Sequence, residues 1–214
     1  CALGMNFGNT LDDPSDHYRL KIYRHDNTIP LSDVLPILEN MGLRAISERP
    51  YVVTVAGAKE TWINDFSLQY IGEEELCLDE VQALFQEAFI KVWFGQAEND
   101  GFNKLVLAAG LHWWQVLILR TYAKYFKQIG FTFSQDYIES ALNHYPKIAR
   151  KLVRLFEIRF KPSKVKDREK QFQKLADDIL ADLDQVSNLD EDKIFRQYVH
   201  GISASNANQC FSNG

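Results

Sequence analysis

Cysteine is scarce in this sequence and shows no pairing. The three cysteines, Cys1, Cys77 and Cys210, are odd in number, lie far apart along the chain and form no C-x-x-C motif. A disulfide framework and a zinc knuckle are therefore not indicated, and we predict a cytoplasmic location, since such usage is typical of a reducing compartment. The sequence opens on Cys1 without an initiator Met, which favours a fragment or a processed end.

Long apolar runs are also missing. The most apolar stretch, Leu105–Leu119, has 15 residues and contains Gly110, His112 and Gln115. It is too short and too polar to cross a bilayer, which requires about 20 predominantly apolar residues. No basic segment followed by an apolar one opens the chain, so no secretory signal is visible either. We expect no contact with a membrane.

The glycine and histidine patterns of common enzyme sites do not occur. The 11 glycines never form G-x-G-x-x-G after a strand, and G-x-x-x-x-G-K-[ST] is absent, so no nucleotide phosphate has a recognisable cradle. None of the five histidines stands three or four residues from another His or Cys, the spacing that puts two metal ligands on one helix face. No Lys occupies an apolar, glycine-framed strand end, where amino-acid dehydrogenation would need it. We assign no catalytic residue, no cofactor-binding residue and no metal ligand.

Charge is distributed unevenly along the chain. Residues 1–100 contain 7 Lys and Arg against 17 Asp and Glu, whereas the remainder contains 17 against 12. Such a shift predicts two domains of different character, over residues 1–98 and 99–214. The acidic first part argues against a nucleic-acid partner, which would require a basic surface.

The first domain shows a change of hydrophobic period that predicts the order strand, helix, strand, strand, helix. The predicted elements are Tyr18–Tyr23, Ser32–Gly42, Tyr51–Val55, Phe66–Tyr70 and Asp79–Trp93. Ser32 is expected to cap the first helix, and Asp79 with Gln82 to form a capping box on the second. This α+β order is that of a ferredoxin-like βαββα module without its last strand. Both helices should cover one face of the sheet and leave the other face free to pair.

Beyond Phe102 the pattern is helical throughout and predicts an all-α bundle. The expected helices cover Lys104–Ile129 as one long or broken helix ended by Gly130, a segment capped by Ser134, a segment beginning at Pro146, Phe172–Val186, and a segment capped by Asn188 with Glu191. The stretch Lys161–Lys170 contains Pro162 and five basic residues, which is typical of an exposed connection.

Several polar or aromatic residues of this region have two interpretations each. We interpret His112 as a hydrogen-bonded core or interface residue and the adjacent Trp113 and Trp114 as core, in preference to a metal site or a recognition patch. The acidic run Asp190–Asp192 opens a helix, where carboxylates are favourable without a cation. We therefore prefer dipole stabilisation to metal binding there.

A basic stripe repeats along the helix that begins at Pro146. It comprises Lys147, Arg150, Lys151 and Arg154. Contact with nucleic acid would require aromatic stacking residues on the same side, whereas Phe156 and Phe160 belong to the apolar stripe. A solvated face or an acidic protein partner is therefore the preferred interpretation.

Long stretches of the sequence resemble one enzyme family, in the same order. They are RLKIYRHDNTIPLSDVLPILENMGLRAISERPY from Arg19, WINDFSLQY from Trp62, EAFIKVWFGQAENDGFNKLVLAAGLHWWQVLILRTYAKYFKQIGFTFSQDYIESALNHYPKIARKLVRLFEIRF from Glu87, and NLDEDKIFRQY from Asn188. Together they resemble the region just ahead of the catalytic domain in large bacterial NAD-dependent glutamate dehydrogenases.

That resemblance implies the last ACT-like module of such an enzyme, followed by a helical motif, with the dehydrogenase domain later in the parent chain. It implies a regulatory or scaffolding role in an enzyme that deaminates L-glutamate oxidatively to 2-oxoglutarate and ammonia. NAD would be the cofactor of the parent enzyme, and none is expected in this segment. The implied partners are other domains of the same polypeptide and further copies in a homo-oligomer.

The resemblance also implies an alternative, in which an amino-acid effector binds between sheet and helix near Pro30, Asn40 and Gly42. ACT modules that bind amino acids commonly show Asp, Pro and then Gly between the first strand and helix. Asp26 and Pro30 are present, but Leu31 and Ser32 follow where Gly is expected. A Cβ there obstructs the close backbone approach that a small ligand needs, which favours the scaffolding hypothesis.

Overall fold

The structure is a computed structural model that describes residues 3–9, 17–25, 27–54, 59–161 and 167–205. The chain forms two units, Cys1–Val116 and Leu117–Gly214. Their boundary falls inside a helix, so residues of both units belong to one continuous element. The domain boundary between residues 98 and 99, inferred from charge, stays a prediction.

A four-stranded antiparallel sheet forms the base of the first unit. Its strands are β1 (Leu3–Gly8), β2 (His17–His25), β3 (Leu43–Val53) and β4 (Thr61–Tyr70), in the spatial order β1-β2-β4-β3. Two helices belong to the same module: α1 (Leu31–Asn40) lies between β2 and β3 in sequence, and α2 (Leu78–Trp93) follows β4. The predicted fold class, a ferredoxin-like α+β module followed by helices, is confirmed.

The predicted βαββα order leaves the sheet edge beside β2 without a strand, but in the structure β1 occupies that edge. Sequence reasoning missed this strand. This strand pairs antiparallel with β2, from Leu3 opposite Arg24 to Gly8 opposite Arg19. It therefore takes the place beside the first strand of the βαββα unit that a last strand normally fills. The expectation of an incomplete sheet is wrong for this reason. The signal was present, because Leu3, Met5 and Phe7 alternate with small or polar residues.

One face of the sheet is covered by helices, as predicted. Its buried side chains are Phe7, Tyr18, Leu20, Ile22, Phe66 and Leu68. Phe7 meets Phe85 of α2 with ring centroids 4.3 Å apart, and Val34, Ile37 and Leu38 form the buried face of α1. Because side chains alternate along a strand, the remaining strand residues point to the opposite face.

Strand lengths and helix caps differ from prediction in the first unit. β3 runs over Leu43–Val53 and β4 over Thr61–Tyr70, so both begin well before the predicted positions. A bulge between Ala45 and Ser47 interrupts the period of β3, which explains why its first half was not recognised. Val55, the predicted end of that strand, lies outside the described residues.

The predicted capping residues of α1 and α2 do not cap. Pro30 is the N-cap of α1, and the Ser32 hydroxyl donates instead to the Asp33 carboxylate at 3.2 Å. Cys77 is the N-cap of α2. The side chain of Gln82 donates to the backbone carbonyl of Phe7, so it ties α2 to the edge strand rather than closing a capping box.

The beginning of the helical region is part of the first unit. A 3-10 turn (Gly101–Lys104), α3 (Leu105–Ala108) and the first residues of α4 (Trp113–Gln128) follow α2. The apolar residues of this stretch are buried: Phe102, Leu105, Val106, Leu107, Ala109 and Leu111. Of the two alternatives for Lys104–Ile129, one long helix or a broken one, the structure has the broken helix, and Gly130 follows it with a φ of 85°.

The second unit contains most of α4 together with α5 (Gln135–His144), α6 (Pro146–Phe160), α7 (Arg168–Asp182), a 3-10 turn (Leu183–Gln185) and α8 (Leu189–Ala204). Ser134 caps α5, Pro146 opens α6 and Asn188 caps α8, as predicted. Half of the predicted connection Lys161–Lys170, residues 162–166 with Pro162, lies outside the described residues, and its last three residues belong to α7 instead. Within the described ranges, no helix has the length and apolar character needed to cross a membrane.

Candidate functional site

The three residues predicted to bind an effector lie at two ends of one helix. Pro30 is the N-cap of α1, Asn40 is its last residue, and Gly42 follows it. The 10 residues of α1 span about 15 Å at 1.5 Å per residue. The structure therefore does not bring Pro30 together with the other two, and Asp26 lies outside the described residues. Effector binding stays a prediction, in which a small amino acid would contact only one end of α1.

Gly42 has a conformational and a packing reason to be glycine. Its φ is 81°, in the left-handed region, and its carbonyl accepts the N–H of Ile71 at 3.0 Å. A Cβ at this position would lie 3.6 Å from the Tyr70 ring and 3.7 Å from the Lys104 side chain. Gly42 thus lies where α1, the end of β4 and the 3-10 turn meet. Its contacts there indicate a structural role for this glycine.

Tyr70 belongs to a cluster of phenols and carboxylates at that end of the sheet. The pKa of Tyr70 is raised to about 12, mainly by burial and to a smaller extent by the nearby Tyr18 and Glu74. The Tyr18 hydroxyl accepts the backbone N–H of Leu76 at 3.3 Å, which holds the segment after β4 against the sheet. A phenol with so high a pKa stays protonated near neutral pH, so Tyr70 is unsuited to act as a base.

The first turn of α4 is fixed to α2 by a polar and aromatic cluster. The Trp113 indole N–H donates to the Glu87 carboxylate at 2.9 Å, and the Lys91 ammonium lies 5.1 Å from the Trp113 ring centroid. His112 Nδ1 is 3.7 Å from Glu87, and the His112 side chain is 46% exposed. The core interpretation of His112 is therefore wrong, and Trp113 and Trp114 are half-buried rather than core. Trp113 packs against the polar groups of Glu87 and Lys91 at the surface, which explains why this residue is not in the core.

The sheet has an open face, which carries the side chains that point away from α1 and α2. Its charged residues are Arg19 and Lys21 of β2, Asp65 of β4, and Arg44 and Arg49 of β3. Lys21 and Arg49 lie directly opposite Asp65, one on each side. Asp65 is only 6% exposed, and its nearest described cation is the Arg19 Nε at 3.7 Å. Sequence reasoning noted the alternation of Arg19 and Lys21 but missed Arg44 and Arg49, because the bulged start of β3 was not recognised.

An apolar row adjoins these charges on the open face. Tyr23, Ile63 and Tyr51 stand side by side on β2, β4 and β3, with Val53 two residues farther along β3. Tyr51 is 47% exposed and Val53 44% exposed. At β1, Gly4 leaves room for the Tyr23 side chain, which a Cβ would approach to 3.4 Å. The open face is therefore partly aromatic and predominantly basic, a composition found at recognition surfaces.

In the second unit, the polar residues singled out by sequence hold helices together. Glu191 is buried at the start of α8 and lies 2.8 Å from His144 Nδ1 at the end of α5. Burial and this carboxylate raise the pKa of Tyr145. Asp190 and Asp192 pair with Lys193 and Arg196 on α8. The acidic run therefore makes helix-to-helix and intrahelical contacts in addition to lying in the first turn of α8.

The basic stripe of α6 is partly neutralised from α7. Lys151 lies 2.6 Å from both Asp178 and Asp182. Although partial burial lowers the pKa of Lys151, hydrogen bonds to these two carboxylates leave it raised. Arg154 lies 3.5 Å from Glu157. Phe156 and Phe160, predicted to be buried, are half-buried and pack on each other with ring centroids 4.5 Å apart.

In the part of the chain that the structure describes, no group of three or more His, Cys, Asp or Glu side chains is placed so that it could hold a metal ion. The polar clusters described above instead connect one element to another: α2 to α4, α5 to α8, and α6 to α7. The open face of the sheet differs from these clusters, because its cations Lys21, Arg44 and Arg49 form no ion pair with a described carboxylate.

Two family models match the sequence. One, described as the ACT3 domain of glutamate dehydrogenase, matches residues 2–81. The other, described as helical motif 3 of glutamate dehydrogenase, matches residues 97–162. The first covers all four strands, α1 and the first residues of α2, and the second covers the chain from just before the 3-10 turn to the end of α6.

Three curated proteins named NAD-specific glutamate dehydrogenase are similar to this chain. That of Halomonas elongata is 42% identical over 203 residues, which make up 95% of this chain and 12% of that protein. That of Pseudomonas aeruginosa is 43% identical over 206 residues, or 95% of this chain and 13% of that protein. That of Mycobacterium tuberculosis is 39% identical over 186 residues, which make up 83% of this chain and 11% of that protein. This chain spans about one eighth of the length of these relatives.

Proposed function

This chain belongs to the family of large NAD-specific glutamate dehydrogenases, as the segment with the ACT3 domain and helical motif 3, and from that premise we propose a non-catalytic, regulatory or scaffolding role. The parent enzyme would oxidise L-glutamate to 2-oxoglutarate and ammonia with NAD in the cytoplasm. The segment would contact other domains of the same polypeptide and take part in a homo-oligomer. Catalytic and NAD-binding residues would then lie outside these 214 residues.

The observation that carries this proposal is the extent of the match. The similarity covers nearly the whole of this chain but only about one eighth of each relative, and it falls on segments described as an ACT domain and a helical motif. Fold alone does not define an activity. Three polar clusters of the described residues support the same conclusion, because each joins two packed elements: α2 with α4, α5 with α8, and α6 with α7.

The contacts of α4 support a structural role for the helical part. α4 begins beside Glu87 and Lys91 of α2, and in the second unit its residues Leu119 and Phe126 are fully buried.

Two measurements test the proposal. The purified chain should neither bind NAD in a calorimetric titration nor reduce it in the presence of L-glutamate, and a glutamate-dependent turnover by this chain alone would refute the non-catalytic assignment. In the parent enzyme, the double substitution Lys21→Gln with Arg49→Gln should leave kcat at saturating substrates within about twofold while changing subunit assembly or the response to amino acids. A loss of kcat of about a hundredfold or more, with assembly intact, would place this surface in the chemistry instead.

A further inference from the structure

The open face of the sheet concentrates the positive charge of an acidic region. Of the 7 Lys and Arg within residues 1–100, four stand on this face: Arg19, Lys21, Arg44 and Arg49. Asp65 is the one carboxylate that the strands add to the face, and it is almost fully buried beneath these side chains. The heads of Lys21, Arg44 and Arg49 are exposed, and none forms an ion pair with a described carboxylate. The face therefore presents net positive charge to a partner.

Face-to-face pairing of two such sheets is unfavourable. It would oppose the cations of one copy to those of the other, and like charges brought together in an interface cost several kcal/mol. The idea that the free face pairs with the same face of another module is thus disfavoured by its charge. An acidic partner surface is required.

The first unit itself exposes a strongly acidic surface, the acid segment Glu73–Glu80. It contains Glu73, Glu74, Glu75, Asp79 and Glu80, all exposed, and no Lys or Arg. Ile71, which precedes it, is 61% exposed. Carboxylates beside an exposed apolar residue complement a face on which cations adjoin Tyr51 and Val53.

One molecule cannot make this match within itself. The backbone N–H of Leu76, in the middle of the acid segment, donates to the Tyr18 hydroxyl at 3.3 Å. Tyr18 is buried on the face covered by the helices, where its ring stacks 5.7 Å from that of Phe7. The acid segment is therefore held on the helix side of the sheet, while Lys21 and Arg49 point to the other side. The cations of the open face and the carboxylates of the acid segment can therefore meet only between different molecules.

We propose that the open face, through Arg19, Lys21, Arg44 and Arg49, binds the acid segment Glu73–Glu80 of a second copy of this chain. The inference rests on the scaffolding role proposed above and names the partner of that surface. The two patches lie on opposite sides of the module, so the contact is head-to-tail and each copy can bind two neighbours. Association should accordingly extend beyond dimers as the chain concentration rises.

Two neutralised variants of the whole chain test the contact by sedimentation velocity. The first, Lys21→Gln with Arg49→Gln, disables the open face, and the second, Glu73→Gln with Glu75→Gln and Glu80→Gln, disables the acid segment. Each variant alone should associate about tenfold more weakly than the unmodified chain, because several exposed ion pairs are lost. In a mixture, the first variant still has its acid segment and the second still has its open face. One molecule of each can therefore bind, and a 1:1 complex and nothing larger is expected.

The matched control for the open-face variant is Lys127→Gln with Lys174→Gln, which also removes two positive charges but from exposed lysines of the second unit. It should associate like the unmodified chain, and thermal unfolding should show that all variants are folded. A chain that stays monomeric at all concentrations, or variants that associate unchanged, would overturn the proposal. So would binding of a single-stranded oligonucleotide that is lost with Lys21→Gln and Arg49→Gln, because the face would then serve nucleic acid. None of these results would itself show turnover, so the proposed function is tested separately.

Discussion

Trp113 and Glu87 join the first turn of α4 to the middle of α2, with the indole N–H 2.9 Å from the carboxylate oxygen. The same indole ring receives the Lys91 ammonium over its face. These contacts lie within the first unit, and they explain why aromatic residues of this helix are retained at the surface rather than in a core. They fix the place at which the helical region begins.

The Trp113 hydrogen bond should contribute measurably to the stability of the first unit. Trp113→Phe keeps an aromatic ring but removes the donor, which should lower the free energy of unfolding by about 1 kcal/mol in urea titration. Glu87→Gln is the matched control, because its amide oxygen can still accept and its effect should be smaller. Equal losses in both variants would mean that charge, rather than the hydrogen bond, holds the turn.

Phe102 should stabilise the ACT-like module although it lies in the segment matched by the helical motif. Its side chain is fully buried, so Phe102→Ala should cost about 3–5 kcal/mol. Phe94→Ala is the control, because Phe94 is 50% exposed and its truncation should change stability little. Hydrogen exchange of the sheet amides reports the effect, and unchanged protection of β2 and β4 in Phe102→Ala would contradict the packing described above.

Sequence periodicity was sufficient for the elements with one buried side. The alternation of Tyr18, Leu20 and Ile22 with polar residues, and the apolar spacing of α1 and α2, reflect a sheet covered on one face. The helix starts at Ser134, Pro146 and Asn188 were also predictable, because local capping chemistry determines them.

Features that depend on partners distant in sequence could not be predicted. The alternation of Leu3, Met5 and Phe7 indicates a strand, but the pairing of this strand with β2 could not be predicted. The side chain of Gln82 donates to the backbone carbonyl of Phe7, 75 residues away, instead of capping its own helix. The free face itself was predicted, but its basic character emerged only from the register, which places Lys21 and Arg49 on either side of Asp65. A charge count along the chain had hidden it, because the surrounding residues are strongly acidic.

Effector binding, if the chain retains it, should depend on one end of α1 only. Calorimetric titration with a panel of amino acids should therefore show binding that is lost with Pro30→Ala or with Gly42→Ala, but not with both. Gly42→Ala also requires a control for folding, because a left-handed φ of 81° should cost a Cβ-bearing residue about 1 kcal/mol or more. Loss with both substitutions in folded proteins would show that the two ends of α1 communicate, against the separation seen here. Flat titrations would favour the scaffolding role alone.

Tyr70 should make the first unit sensitive to alkaline pH. Burial, with Tyr18 and Glu74, raises its pKa from 10.0 to about 12, so the folded state favours the neutral phenol. Its stabilising contribution is therefore complete below pH 10 and is lost as pH rises through about 12. The tyrosinate absorbance of the unmodified chain minus that of Tyr70→Phe should titrate near 12, and Glu74→Gln should shift this midpoint downward. Tyr70→Phe should also lose less stability than the unmodified chain over the same pH interval. A difference titration with its midpoint at 10 would show that Tyr70 is neither buried nor beside a carboxylate, and would contradict the arrangement at the end of β4.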